Sequence, residues 1–184
     1  DRTLHIHNGV FAGFSVEIVR RIGAEPTIVE GPVGGPIDLD SVRAELGKQN
    51  YKMVLVVHSE TSTGAQYPIA EVAKLCQEFG TLCFVDGISS VGSIELEMDK
   101  MGLDLVVTGS NKSLGALIGL SIIGASQKAY DAMESRKTLC QSWGLDLLRC
   151  RQGCSVGHVD LHTPILLRLD SNINRVIAVQ SGLR

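Results

Sequence analysis

Three short apolar runs, each followed by a loop dense in hydroxyls and charges, limit most strongly what this chain can become. They are Met53–Val57, residues 81–85 and residues 103–107. None alternates apolar with polar residues, as a strand with one wet face would. A near-continuous apolar run marks a strand buried on both faces, which is the habit of parallel sheets covered by helices. Segments with helical spacing separate these runs. Residues 14–22 repeat apolar positions helically and stop at Gly23. Asp38 or Asp40 caps a helix running to about Leu46. Residues 68–79 begin at Pro68, where a helix tolerates proline, and end before Gly80. Residues 127–137 are helical in pattern. Further strands are expected over residues 3–7, 26–29 and 117–123, with a turn at Asn8-Gly9 and a Gly/Pro-rich loop over 31–36. The alternation implies an α/β fold, a mostly parallel sheet with helices on both faces.

Bulk properties narrow the functional classes. A chain of 184 residues can bury a substantial core. A formal charge of −3 gives no general electrostatic reason to expect nucleic acid or an acidic membrane as partner. No apolar run reaches the roughly 18 residues of a membrane span; residues 114–125 are too few and are broken by Gly115, Gly119 and Gly124. The five cysteines form no CxxC pair, so no zinc site is expected. Cys76 and Cys83 read as small buried hydrophobes, and a reducing compartment fits: the cytoplasm, or a peroxisomal or mitochondrial matrix in a eukaryote. The amino terminus has neither a signal-peptide pattern nor an initiator Met, so the chain reads as a fragment.

In open α/β sheets ligands bind beyond the carboxyl ends of the strands. Three such ends carry His58-Ser59-Glu60-Thr61-Ser62-Thr63-Gly64, Asp86-Gly87-Ile88-Ser89-Ser90 and Thr108-Gly109-Ser110-Asn111-Lys112-Ser113-Leu114-Gly115. If the strands are parallel, a carboxylate, a lysine and several hydroxyls share one edge. By pattern alone, a chemical role for Lys112 and Asp86 stands level with a bland one, as surface residues at loops or as a structural ion pair. The Gly-rich stretch 109–124 matches neither the Walker pattern nor GxGxxG, so nucleotide binding has little support.

Taken together and in order, the strings His58-Ser59-Glu60-Thr61-Ser62-Thr63-Gly64, Phe84-Val85-Asp86-Gly87-Ile88-Ser89-Ser90-Val91-Gly92 and Gly109-Ser110-Asn111-Lys112-Ser113-Leu114-Gly115-Ala116 resemble the class V aminotransferases among the fold-type-I pyridoxal-phosphate enzymes, most of all the alanine–glyoxylate and serine–pyruvate aminotransferase group. Asn8-Gly9-Val10-Phe11 is similar to that family's turn before the first helix of its large domain. The likeness covers roughly residues 1–135. It implies a cofactor-binding large domain over 1–137, lacking its amino-terminal part, and a poorly matched segment over 138–184 leading toward a small domain. It also implies pyridoxal 5'-phosphate as cofactor, small amino acids and 2-oxo acids as substrates, and a homodimer.

The resemblance assigns roles to individual residues. Lys112 corresponds to the lysine that forms the Schiff base and then moves the substrate's proton. Asp86 corresponds to the carboxylate that keeps the ring nitrogen protonated. Phe11 corresponds to the aromatic stacked on one ring face, the lesser alternative being a core residue at a turn. Ile88 corresponds to the packing residue on the other face, or to a small core contact. Thr61 corresponds to the hydroxyl near the phenolic oxygen, or to a loop cap. Asn111 stands where Gln is usual near the phosphate. Thr163 is similar to a threonine that reaches the neighbouring subunit's phosphate.

Several positions depart from the family pattern. Asp160 replaces a usual aromatic, and Leu117-Ile118 replaces a Pro-Pro pair. The family's phosphate loop lies upstream of position 1, and its substrate-gripping arginine lies in a carboxyl-terminal domain. The chain is therefore expected to fold poorly or bind cofactor weakly alone. Two other roles stay open: a 2-aminoethylphosphonate–pyruvate transaminase, whose lysine also follows Asn, and a truncated non-catalytic subunit paired with a complete one. Cysteine desulfurases share the fold, but a His usually precedes their lysine.

Overall fold

The computed structural model describes residues 1–140, 142, 145–155, 165–167 and 176–180. For 152–155 and the last two segments only the backbone is described. Strands and helices come in the order β1 (Arg2–His7), α1 (Val10–Arg21), β2 (Glu25–Glu30), α2 (Leu39–Leu46), β3 (Met53–Val57), β4 (Ser59–Glu60), β5 (Ala65–Gln66), α3 (Ile69–Glu78), β6 (Leu82–Asp86), α4 (Met98–Met101), β7 (Leu105–Gly109), β8 (Leu120–Ala125), α5 (Gln127–Glu134), α6 (Leu147–Ser155), β9 (Ile165–Leu167) and β10 (Val176–Gln180).

Among the described residues the main sheet runs β2-β1-β3-β6-β7-β8-β10-β9. Its first five strands are parallel, and β8, β10 and β9 continue it antiparallel. The expected α/β architecture is thus what forms. The short β4 and β5 pair as a hairpin within and just after the loop expected over 58–64. The strand expected over 117–123 lies at 120–125 instead, and Leu117 and Ile118 are 90% and 67% exposed. Their apolar character therefore comes from a surface turn, not from strand burial.

Two apolar layers sandwich the sheet. Leu4, Ile6, Val54, Val56, Cys83 and Val85 pack beneath Val42 and Leu46 of α2 and Val72 and Leu75 of α3. On the other face Leu105, Phe84 and Met53 meet Ala129 and Tyr130 of α5 and Cys150 of α6. Helix α1 also lies on this second face. His5 alternates along β1 with Leu4 and Ile6, and its Nδ1 bonds Ser15 of α1 at 2.8 Å. The carboxylate of Asp104 ties the amino-terminal ends together, accepting from Cys83 N, Ser126 Oγ and Lys128 Nζ at 2.9, 2.9 and 3.2 Å.

The choice between two caps for α2 goes to Asp38, which accepts from the amides of Asp40 and Ser41. Helix α1 starts at Val10, four residues before the expected start at 14. It buries Ala12, Val16 and Val19 and leaves Val10, Phe14 and Ile18 more than half exposed. Much of the apolar periodicity in 14–22 therefore belongs to an open face. Cys76 and Cys83 are buried as expected.

Candidate functional site

Helix α1, between β1 and β2, covers one face of the sheet, whereas α2 and α3 cover the other. The chain therefore leaves β1 and β3 toward opposite faces, which makes this the point where the strand order reverses, the usual ligand-binding position in such sheets. Phe11 stands in the first turn of α1, just past the loop after β1, and Thr61 stands in the loop after β3. Asp86 and Lys112 arise at the same carboxyl edge, from β6 and from the turn after β7.

The structure brings most of the predicted residues together. Nζ of Lys112 lies 5.8 Å from the centroid of the Phe11 ring. Phe14 meets Phe11 edge-on, with centroids 5.6 Å apart. Thr61 Oγ1 and Ser89 Oγ are 2.6 Å apart, joining the loop after β3 to the loop after β6. Asp86 Oδ1 accepts the Ile88 amide at 2.9 Å, and Ile88 is half-buried. Asn111 is exposed, with Oδ1 beside Gly109. Thr163 lies outside the described residues.

Lys112 and Asp86 form no ion pair with each other among the described residues. Asp86 nonetheless feels the charge of Lys112. Burial pushes the Asp86 carboxyl above the usual carboxylate range and the nearby Glu60 charge adds to this, while the Ile88 amide and Lys112 pull the other way. Burial dominates, so Asp86 is a carboxylate short of positive partners. Lys112 is exposed.

A layer of hydroxyls sets the lysine turn in place. Ser113 Oγ donates to the Ser89 carbonyl at 3.1 Å and accepts from Ser93 Oγ at 3.1 Å. Ser110 Oγ donates to the Leu117 carbonyl at 2.6 Å. Gly92 has φ +99°, and a Cβ there would meet the Ser113 carbonyl at 3.2 Å and the Leu114 amide at 3.3 Å. The Asp86 and Lys112 loops approach this closely because position 92 lacks a side chain.

Sequence reasoning assigned no role to Glu60, Ser89, Ser93, Ser113 or Gly92, although all but Ser93 lie within the motif strings. Glu60 is fully buried and accepts the Phe11 amide. No local pattern signals this, because its partner is 49 positions away. A shallow concavity lined by Arg2, Glu25, Tyr51 and Lys52 sits at the opposite, amino-terminal edge of the strands.

The aminotransferase class-V family model matches residues 11–142, well over half of the chain. The chain belongs to the class-V aminotransferase family. Its similarity to an L-aspartate–glyoxylate aminotransferase of Paracoccus denitrificans is 36% identity over 143 residues, covering 74% of this chain and 36% of that protein. An alanine–glyoxylate aminotransferase of Oryctolagus cuniculus is 31% identical over 180 residues, which is 96% of this chain and 46% of that one. Among solved structures, an alanine–glyoxylate aminotransferase from Nostoc sp. superposes with a TM-score of 0.83 at 33% identity, covering 89% of this chain and 43% of that one. This class-V chain therefore spans less than half the length of these relatives. No described helix is long and apolar enough to cross a membrane.

Proposed function

We propose that this chain is the cofactor-holding part of a pyridoxal-phosphate-dependent transaminase that moves an amino group from alanine or serine to glyoxylate or pyruvate, working as a homodimer. The observation that carries this reading is the placement of an exposed lysine amine 5.8 Å from an aromatic ring, with a half-buried carboxylate on the neighbouring strand.

The residues present suit the cofactor. Among the described residues Asp86 Oδ2 accepts no hydrogen bond, and burial disfavours the Asp86 charge. A protonated ring nitrogen against that oxygen would offset the cost by direct charge pairing. Phe11 would back one ring face and Ile88 the other, with Thr61 and Asn111 as polar contacts at the rim. Thr163 would belong to the neighbouring subunit's site. When bound, pyridoxal phosphate supplies an electron sink for the carbon that bears the amino group. Nζ of Lys112 would hold the cofactor covalently and carry the proton taken from and returned to that carbon. Asp86 would keep a proton on the ring nitrogen. Asn111 also supports a second reading, a 2-aminoethylphosphonate–pyruvate transaminase, and a screen of amino donors on the whole protein separates the two.

The test is borohydride reduction of the protein with pyridoxal phosphate, followed by peptide mapping. Label on Lys112, lost in Lys112→Ala, is the expected result. Because Lys112 is exposed and its Nζ makes no hydrogen bond or ion pair among the described residues, only a ring contact at 5.8 Å, Lys112→Ala should shift folding stability by no more than about 0.5 kcal/mol. Equal labelling of the wild type and Lys112→Ala would overturn the assignment. Absence of label, together with co-purification with a complete subunit, would favour a non-catalytic partner.

A further inference from the structure

We propose that Glu60 is a positioning residue: its buried carboxylate clamps the amino end of α1 to the loop after β3 and so fixes Phe11 opposite Lys112. The role given to Phe11 rests on the cofactor reading above; the clamp itself rests on geometry alone.

An α-helix begins with amides that have no partner inside the helix. In α1 no side chain caps from position 9, and the first turn holds no acidic residue. The missing acceptors come from the loop after β3. Oε2 of Glu60 accepts from the amides of Phe11 and Ala12, at 3.1 and 3.3 Å. Oε1 accepts from the amide and hydroxyl of Ser62, at 3.1 and 2.6 Å. Ser62 Oγ in turn accepts the Val10 amide at 3.3 Å. The helical ladder then starts, with Gly13 N donating to the Gly9 carbonyl at 3.2 Å. Every amide of the first turn is thus satisfied, three of them by the loop after β3. The carboxylate also puts negative charge at the positive end of the helix dipole.

Gly9 supplies the space. Its backbone is extended, so conformation does not demand glycine. A Cβ there would lie 2.3 Å from Cγ, 2.4 Å from Cδ and 2.6 Å from Oε2 of Glu60. Any side chain at position 9 would displace the carboxylate. Glu60 is 0% exposed, and a buried charge holding four donors is a rigid joint. It joins two elements of the carboxyl edge: α1, which carries Phe11, and the loop after β3, which carries Thr61.

The experiment compares Glu60→Ala, Glu60→Gln and Gly9→Ala with the wild-type chain. Two quantities are read: hydrogen exchange of the Phe11 and Ala12 amides without cofactor, and the pyridoxal phosphate concentration giving half-maximal borohydride labelling of Lys112. In Glu60→Ala, both amides should exchange about tenfold faster or more, the scale of one lost charge-assisted bond. The half-labelling concentration should rise by about tenfold. Glu60→Gln keeps one oxygen for Phe11 and Ala12, so exchange there should stay near wild type and labelling shift less than about threefold. Gly9→Ala should behave like Glu60→Ala, and it decides the matter if Glu60→Ala does not fold. Unchanged exchange in Glu60→Ala, or faster exchange with unchanged labelling, overturns the proposal. If wild-type Lys112 takes no label, the cofactor reading falls, while amide exchange still decides whether Glu60 holds Phe11.

Discussion

Replacing Gly92 with alanine tests whether the Asp86 and Lys112 loops must approach as closely as they do. Two costs arise. At φ +99° an L-residue is strained by roughly 1–2 kcal/mol. The new Cβ also presses on the Ser113 carbonyl at 3.2 Å, the Leu114 amide at 3.3 Å and Leu114 Cδ2 at 3.0 Å. The first two are backbone of the lysine turn, which must shift by a few tenths of an ångström, at about 1–2 kcal/mol. Reduced freedom of the unfolded chain returns about 0.4–1 kcal/mol. The net loss is about 1–3.5 kcal/mol, or roughly 2–14 °C in Tm for a chain of this size. Gly80→Ala is the internal control. It has φ +67° with nothing within 4 Å of its Cβ, so it isolates the backbone strain. Reversible denaturant unfolding of both variants gives, by difference, the contact cost together with the extra strain of φ +99° over +67°, and borohydride labelling reports whether the lysine turn has moved. If Gly92→Ala is no more costly than Gly80→Ala and labels Lys112 as the wild type does, close approach is not what position 92 provides.

Two further predictions concern pH. Because burial raises the folded Asp86 carboxyl above its ordinary 3.8, the folded state holds its proton longer than the unfolded state. Asp86 thus costs stability as pH rises from 3.8 through its raised value, and the cost is full above it. Asp86→Asn should stabilise the cofactor-free protein at neutral pH, by an amount shrinking toward pH 3.8, while weakening turnover of the whole enzyme; urea midpoints across pH that show no gain at neutrality would contradict this. His5 is shifted the other way. Burial and then Arg20 lower it from 6.5 to about 4, so stability is full above 6.5 and falls as pH drops toward 4. Between pH 7 and 5 the loss should be about 2 kcal/mol, and His5→Gln should flatten that part of a urea-midpoint profile.

Much of the fold was legible because burial on both faces leaves a one-dimensional mark. Met53–Val57 is apolar along its whole length, so its strand needed no tertiary information. The loops that end β3, β6 and β7 were legible too, since polar residues directly after a buried run must emerge at the sheet edge. The start of α1 was not. Its first turn forms at Val10 because Glu60 and Ser62, about fifty positions later, accept its amides. Likewise, both Asp38 and Asp40 could cap α2, and only backbone geometry selected Asp38.

Local pattern determined that strands alternate with helices, and that Asp86 and Lys112 sit at strand ends where such sheets bind ligands. It determined these things because hydrophobic period and turn chemistry are local. It took the folded chain to set Lys112 facing Phe11 with no ion pair to Asp86, to fill the gaps at Gly9 and Gly92 from other loops, and to leave one apolar face of α1 open. Each of these depends on pairing residues some twenty to a hundred positions apart. Such pairing follows from how the sheet is ordered, which no local pattern contains.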